Sequence, residues 1–488
     1  MLSKTSYRFT IRRAMLAGLV VMLLNACSLS LFNLPDLFPP TVTPSYPIPP
    51  TPTPQPQAEV SFTVSLPAPL LPNETVNLSV VDEVTGIAMN AASYRMTAVD
   101  ALHYMVTIPF AVNSVVKYRY VRQSTLPVPE DDPLDRPVRY RMIHVATGGV
   151  VQDLVASWAD SKFTGSTGRV TGTVTDPGGS PLTNILVALG GEQTLTDSSG
   201  TFVFDSILPG TQNLLTYSLD GTYTTFQQGV VVAADKRTRP VVTMTAAPMV
   251  SVIFTLIVPA GTAPTVPIRL AGNLLQLGNT FGDLNGGLST VGSRMPVLTP
   301  LADGRFTITL SLPAGADVRY KYTLGDGFWN AEHLTNGAFV LRQLVVPQTA
   351  GPVMISDLVE TWQAGPSAPI TFEVTVPAST PVGDIVSVQF NPYGWTEPLQ
   401  MWPLGGNRWA YTLYSPLNML GTFEYRYCRN DQCEAAGDMQ TLPGHSGRLV
   451  STSLIAQDIQ DVVTDWNWMQ PFTPSPVVGV PVTPRKVF

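Results

Sequence analysis

Four carboxylates crowd one Pro-bounded loop of this 488-residue chain, the stretch EDDPLD at 130–135. Oxygen ligands gathered in that way can hold a hard cation such as calcium. The loop lacks the glycine and the spacing of an EF-hand, so a solvated acidic loop is the expected form. The four histidines, His103, His144, His333 and His445, stand apart: no two have metal-ligand spacing and no His-Glu-x-x-His occurs. A serine nucleophile of the hydrolase type sits on a Gly-x-Ser-x-Gly elbow, and the GHSG at 444–447 is one residue short of it. Paired glycosidase carboxylates would need a domain to house them, and none is left over once the segments below are assigned. No catalytic residue, metal site or small-molecule cofactor is therefore expected. Cys428 and Cys433 can form a disulfide in an oxidising compartment. Closing so short a loop adds roughly 2 kcal/mol on the chain-entropy account. As metal ligands the pair makes an incomplete zinc set.

The elements that must position any site are strands. Only 13% of the chain is charged, 44% is hydrophobic and 45 residues are proline, a composition that suits short strands and many turns. The net charge of −7 argues against nucleic acid, which needs a basic stripe. At the N-terminus Lys4, Arg8, Arg12 and Arg13 precede an apolar stretch at 14–24 that is short for a bilayer span. It ends in Leu24-Asn25-Ala26-Cys27, which resembles a bacterial lipoprotein signal. The resemblance implies cleavage before Cys27, a lipid on its thiol, contact with the membrane through that anchor alone, and a place at the cell surface outside the cytoplasm. It also accounts for the odd cysteine among three. Residues 34–57 hold ten prolines and should extend as polyproline II. At ~3.1 Å per residue they can reach roughly 70 Å.

After the tether one pattern occurs three times. An alternating strand ends in proline at Phe62-Thr-Val-Ser-Leu-Pro67, Phe254-Thr-Leu-Ile-Val-Pro259 and Phe372-Glu-Val-Thr-Val-Pro377. A tyrosine–basic–tyrosine triplet follows at 118–120, 320–322 and 425–427, and each copy closes on Asp-Leu/Val-Val-x-x-Trp at Trp158, Trp362 or Trp466. The triplet-to-tryptophan separations of 40, 42 and 41 residues hold one register, which implies one structural unit used three times. Each unit reads as a β-sandwich of short alternating strands. Period two puts both tyrosines of a triplet on the core face and the basic residue on the other. The expected chain is all-β: signal peptide 1–27, Pro-rich linker 28–58, sandwiches at 59–164, 165–247, 248–366 and 367–470, and a Pro-rich tail at 471–488.

The sandwich at 165–247 departs from the repeat. Its motifs Gly-x-Val-x-Asp-x-x-Gly-x-Pro-Leu, Thr-Asp-x-x-Gly-x-Phe-x-Phe and Leu-Pro-Gly resemble a carboxypeptidase regulatory-like domain. That resemblance implies a small prealbumin-like sandwich with a spacer role beside the immunoglobulin-like repeats.

The copy at 248–366 carries a further resemblance. Gly272…Leu277-Gly278, Leu312-Pro313-Ala314-Gly315, Tyr320-Lys321-Tyr322, Gly327-Phe328-Trp329 and Thr361-Trp362 are similar to the starch-binding domains of carbohydrate-binding module family 20. The likeness implies an α-glucan as polysaccharide partner, with Trp329 as an aromatic platform and Lys321 as a hydroxyl ligand. Asn330 or Asn336 would assist, and Phe281 would stand where the family has a second tryptophan. A sugar's C–H face is slightly positive and lies on the negative face of a ring, while amides and ammonium groups bond the hydroxyls at the rim. In the last copy Trp395 occupies the corresponding turn. The alternatives are a stalk of sandwich modules with no sugar site, or the binding half of a glycoside hydrolase whose catalytic domain would follow the Pro-rich tail.

Overall fold

Alternating apolar residues and frequent turns fold here into strands throughout, and the all-β expectation stands. The computed structural model describes residues 55–81, 92–262, 266–278, 295–324, 330–338, 340, 342–363, 365, 368–392, 394–396, 398–414, 421–433 and 446–467. All of them belong to one compact unit, Pro49–Phe488. Cys27, the apolar stretch before it, most of the proline tether and the tail beyond 470 lie outside the described residues. Among those described, the helical element is a single 3-10 turn, Leu275–Leu277.

Three sandwiches share one plan. In the first, strand Gln57–Ser65 lies antiparallel to His103–Ala111 and parallel to Gly149–Leu154. In the third, Met249–Ile257 lies between Phe306–Pro313 and Val353–Leu358 in the same two senses. In the fourth, Ile370–Thr375 lies between Arg408–Leu413 and Gln457–Val462 likewise. Even the register repeats: Phe62, Phe254 and Phe372 stand opposite Val151, Ile355 and Ile459 on the closing strand. The facing sheet is built on the triplet strand, Val115–Gln123, Asp317–Leu324 or Thr422–Arg429. The opening phenylalanine meets the first tyrosine of the triplet at ring-centroid distances of 4.9, 5.3 and 4.9 Å in the three copies. The closing tryptophans are buried, and the indole N–H groups of Trp362 and Trp466 donate to Thr262 and Thr380 at 2.9 and 3.0 Å.

The second sandwich packs a sheet of strands Gly168–Thr175, Thr201–Ile207, Arg237–Thr238 and Val241–Thr243 on one of Glu192–Leu195, Ile185–Leu189, Gly210–Ser218 and Phe226–Val232. Gly200 turns the chain into Thr201–Ile207 at φ 72°, and a Cβ there would lie 2.5 Å from the Val174 carbonyl oxygen. Only glycine fits that turn, because it must be left-handed and touch backbone at once.

The sandwiches are not separate beads. Val115, Tyr140 and Met142 of the first form one apolar cluster with Leu186, Ala188 and Leu215 of the second. The cores of the third and fourth merge into a single buried cluster. Between the second and third, Gln276 donates to the Asp220 carbonyl at 2.7 Å. Between the first and third, the Val115 amide donates to the Asp317 carboxylate at 2.9 Å.

Candidate functional site

Each triplet places two tyrosines on the core face, and in every copy both hydroxyls donate to a single carboxylate oxygen. Tyr118 and Tyr120 reach Asp153 at 2.7 and 2.9 Å. Tyr320 and Tyr322 reach Asp357 at 3.0 and 2.9 Å, and Tyr425 and Tyr427 reach Asp461 at 2.9 and 2.7 Å. An arginine takes the other oxygen of the same aspartate: Arg141 at 3.2 Å, Arg342 at 2.9 Å and Arg448 at 2.9 Å. Its second nitrogen donates to a closing-strand carbonyl, Leu154, Leu358 or Val462, and its guanidinium lies over the second tyrosine ring. In the first and third sandwiches a glutamate completes the set. Glu130 and Glu332 each pair with the arginine at 2.8 Å and accept from the amide of the second tyrosine at 2.9 Å.

Burial sets the electrostatics of this cluster. It holds Tyr118, Tyr120, Tyr320, Tyr322 and Tyr427 well above the ordinary tyrosine range, with the neighbouring aspartate adding to the effect. Burial also raises Glu332, against the opposing pull of Arg342. For Arg141 burial works against the charge, and Glu130 with Asp153 outweighs it, so its pKa rises. Every polar group in the network has its partner inside the protein. The cluster offers no bound molecule a face and is a fastening between the two sheets.

This arrangement corrects the expectation for the acidic loop at 130–135. Glu130, Asp131 and Asp132 are buried, 0%, 7% and 5% exposed, so three of the four carboxylates are withdrawn from solvent and only Asp135 is exposed. Glu130 serves Arg141, and Asp132 accepts from the amides of Leu134 and Arg136 and from the Arg136 guanidinium. Among the described residues no group of histidine, cysteine, aspartate and glutamate side chains is placed to hold a metal ion.

The residues proposed to contact sugar are scattered. Trp329 and Phe281 lie outside the described residues, as does Cys27. Lys321 is only 1% exposed, which corrects its assignment as a hydroxyl ligand at the surface. It does leave the core of its own sandwich, as period two requires, but the space it enters is filled. Asn330 is likewise corrected: it is fully buried, its amide nitrogen donates to the Thr412 carbonyl at 2.6 Å, and its oxygen accepts from the Tyr414 amide at 2.9 Å. Both ends of the side chain are committed to the fourth sandwich. Asn336 is exposed and accepts from the Ala338 amide within its own turn. Cys428 and Cys433 are joined by a disulfide.

Trp395 is half-buried at the surface of the fourth sandwich, with the Arg426 guanidinium 4.1 Å from its ring centroid. Arg426 is the basic residue between the last pair of tyrosines. It stands opposite Gln389 across the sheet, and its Nε donates to the Gln389 oxygen at 2.8 Å. An aromatic ring, a cation and an amide thus meet on the outward face of one sheet. Arg426 and Gln389 were not singled out from the sequence. The signal was available, since period two sends the middle residue of the triplet outward. In this copy the outward face is not fully covered by a neighbouring sandwich.

Residues 169–245 match the carboxypeptidase regulatory-like domain, and the second sandwich is such a domain. No curated protein matches the chain. Among solved structures, a streptococcal ancillary pilin is similar at 13% identity, covering 62% of this chain and 99% of the pilin, with a TM-score of 0.22. A minor pilin of Streptococcus agalactiae is similar at 12% identity over 38% of this chain and 96% of its own, with a TM-score of 0.17. A family 15 glucoamylase from Hypocrea jecorina is similar at 22% identity over 25% of this chain and 21% of its own, with a TM-score of 0.17.

Proposed function

We propose that this chain is a non-catalytic spacer, a series of β-sandwiches docked on one another and held outside the cytoplasm by a lipid on Cys27. The observation that carries the reading is Asn330, a buried amide that spends both of its ends on the backbone of the next sandwich. Domains joined by ordinary linkers move relative to one another by default. Here shared apolar clusters and buried polar bonds oppose that motion at each junction. The Cys428–Cys433 bridge suits an oxidising compartment, and among the described residues no helix is long and apolar enough to cross a membrane. Limited proteolysis of the whole chain tests the reading. Trimming of the proline-rich ends should leave one protected core containing all four sandwiches, whereas release of single sandwiches would overturn it.

A second reading is favoured by the Trp395–Arg426 pair. A half-buried ring beside a guanidinium is the kind of surface on which a hexose stacks, and the polysaccharide reading rests here on the fourth sandwich, with Gln389 bonded at both ends and serving only to hold Arg426. Retention of the whole chain on insoluble starch should fall roughly tenfold in Trp395→Ala, a change of about 1.4 kcal/mol. Equal retention of both proteins would remove Trp395 from the site. A loss in Trp329→Ala alone would return the site to the third sandwich.

A further inference from the structure

The second sandwich meets the first through a turn at 190–193. Gly191 sits so close to the first sandwich that a Cβ there would lie 3.0 Å from Cγ1 of Val138. The Gln193 side chain donates to the Tyr140 carbonyl beside it. Between these two contacts Glu192 faces the acidic loop of the first sandwich. Its Oε2 atom lies 3.0 Å from Nη2 of Arg136, and the same nitrogen lies 2.7 Å from Oδ2 of Asp132. One cation therefore serves two carboxylates, one from each sandwich. The Asp132 side chain is 5% exposed and that of Glu192 15%. The other Glu192 oxygen, Oε1, is buried, and no group among the described residues donates to it.

A carboxylate that shares its only cation, with one oxygen taken out of water and left without a donor, is costly to keep as an anion. A proton removes that cost. Asp132 in the first sandwich and Asp205 in the second both oppose the Glu192 charge, while Arg136 favours it. Asp131 and Asp135 stand on the same loop as Asp132, and Asp205 is paired at the surface with Arg169 at 3.1 Å. Burial outweighs the pull of Arg136 and pushes the Glu192 carboxyl up from 4.5 to about 7. Separating the sandwiches returns Glu192 to water and to its ordinary range. The docked form thus holds the proton more tightly than the separated one. Docking gains from the proton in full below about pH 4.5 and loses that gain as the pH rises through about 7.

We propose that Glu192 is a proton-controlled latch between the first and second sandwiches, closed when its carboxyl is neutral and loosened when it is charged. In the closed form Arg136 is left to Asp132 alone, and a neutral group replaces a buried anion at the seam. In the loosened form two carboxylates compete for one guanidinium that is itself 55% exposed. The inference rests on the spacer reading and adds to it that the stiffness of the spacer follows the acidity of its surroundings.

The backbone amide of His144 reports on the junction. It donates across the same seam to Oε1 of Gln227 at 2.7 Å, so it meets solvent when the sandwiches part. Residue-resolved hydrogen exchange of the whole chain, corrected for the intrinsic rate at each pH, reads that parting. Protection of the His144 amide should fall about tenfold between about pH 6 and about pH 8 in the parent. In Glu192→Gln it should stay high across the range. Arg136→Gln should move the fall to higher pH, because the group that favours the charged carboxyl is gone. The His144 imidazole, held below its ordinary pKa by burial, titrates with the opposite sign. Glu192→Gln keeps that imidazole, so the difference between the two proteins belongs to Glu192. A flat profile in a protected parent, an equal fall in Glu192→Gln, or a fall moved to lower pH in Arg136→Gln overturns the latch and leaves the spacer standing. A His144 amide unprotected throughout the range overturns both.

Discussion

Replacing Arg141 with methionine should cost the first sandwich about 3–5 kcal/mol, enough to unfold it well before its neighbours. The side chain is 5% exposed, and its two partners, Glu130 and Asp153, are 0% and 5% exposed. Methionine fills much of the volume, but two carboxylates then remain in a place water cannot reach. The charge that made them tolerable is gone, and protonating them is the only escape. The three copies of the network make the test internal. Arg448 leaves behind Asp461, which is 13% exposed and has no glutamate beside it among the described residues, so the same substitution should cost less in the fourth sandwich. Arg342→Met, by contrast, strands Glu332 at 0% exposure together with Asp357 at 11%. Hydrogen exchange in strand Val115–Gln123, followed with urea, reads the first copy separately from the others. The double variant Arg141→Met/Glu130→Gln should recover part of the loss. A midpoint for Arg141→Met within about 1 kcal/mol of the parent would show that the network is ornamental.

Asn330→Ala is the second large effect, at about 2–4 kcal/mol, and it should appear at a junction rather than within a sandwich. Alanine leaves the Thr412 carbonyl and the Tyr414 amide buried with no side-chain partner in place of the amide. Backbone groups without partners are costly because water cannot replace what was lost. The third and fourth sandwiches keep their own sheets, so the expected sign is a new proteolytic cut between them under conditions that leave the parent whole. Asn336→Ala, a change at an exposed turn six residues on, is the matched control and should alter stability by no more than about 0.5 kcal/mol. If the two variants were cleaved alike, the amide would not be the fastening.

The repeated plan was legible because it is a local pattern carried three times. Alternation marks the faces of a strand, and the Phe, Tyr-x-Tyr and Asp…Trp positions recur in register, so their meeting in one core could be read without coordinates. The arginine and glutamate of the network were equally regular. Glu130 and Glu332 follow the second tyrosine by ten residues, and Arg141, Arg342 and Arg448 follow it by 21, 20 and 21. That spacing went unread because a charged residue in a loop suggests solvent, and the third glutamate has no counterpart among the described residues. Lys321, Asn330 and Arg426 show where a single strand stops being informative. Period two sends Lys321 and Arg426 away from their own cores with equal certainty. Whether a neighbouring sandwich then covers a side chain is decided by residues distant in the chain, 82 and 84 positions away for Asn330, and alternation carries no trace of it.

The parallel pairing of first and last strands bears on what happens when such a chain is pulled by its two ends. In the first sandwich the backbone enters along Gln57–Ser65 and leaves along Gly149–Leu154, side by side and pointing the same way. Tension applied at the ends slides these strands past each other, so the whole ladder between them is loaded at once instead of being unzipped rung by rung. The third and fourth sandwiches are laced identically. Three shear clamps in series make a tether that resists extension along its length, whatever it holds at its tip.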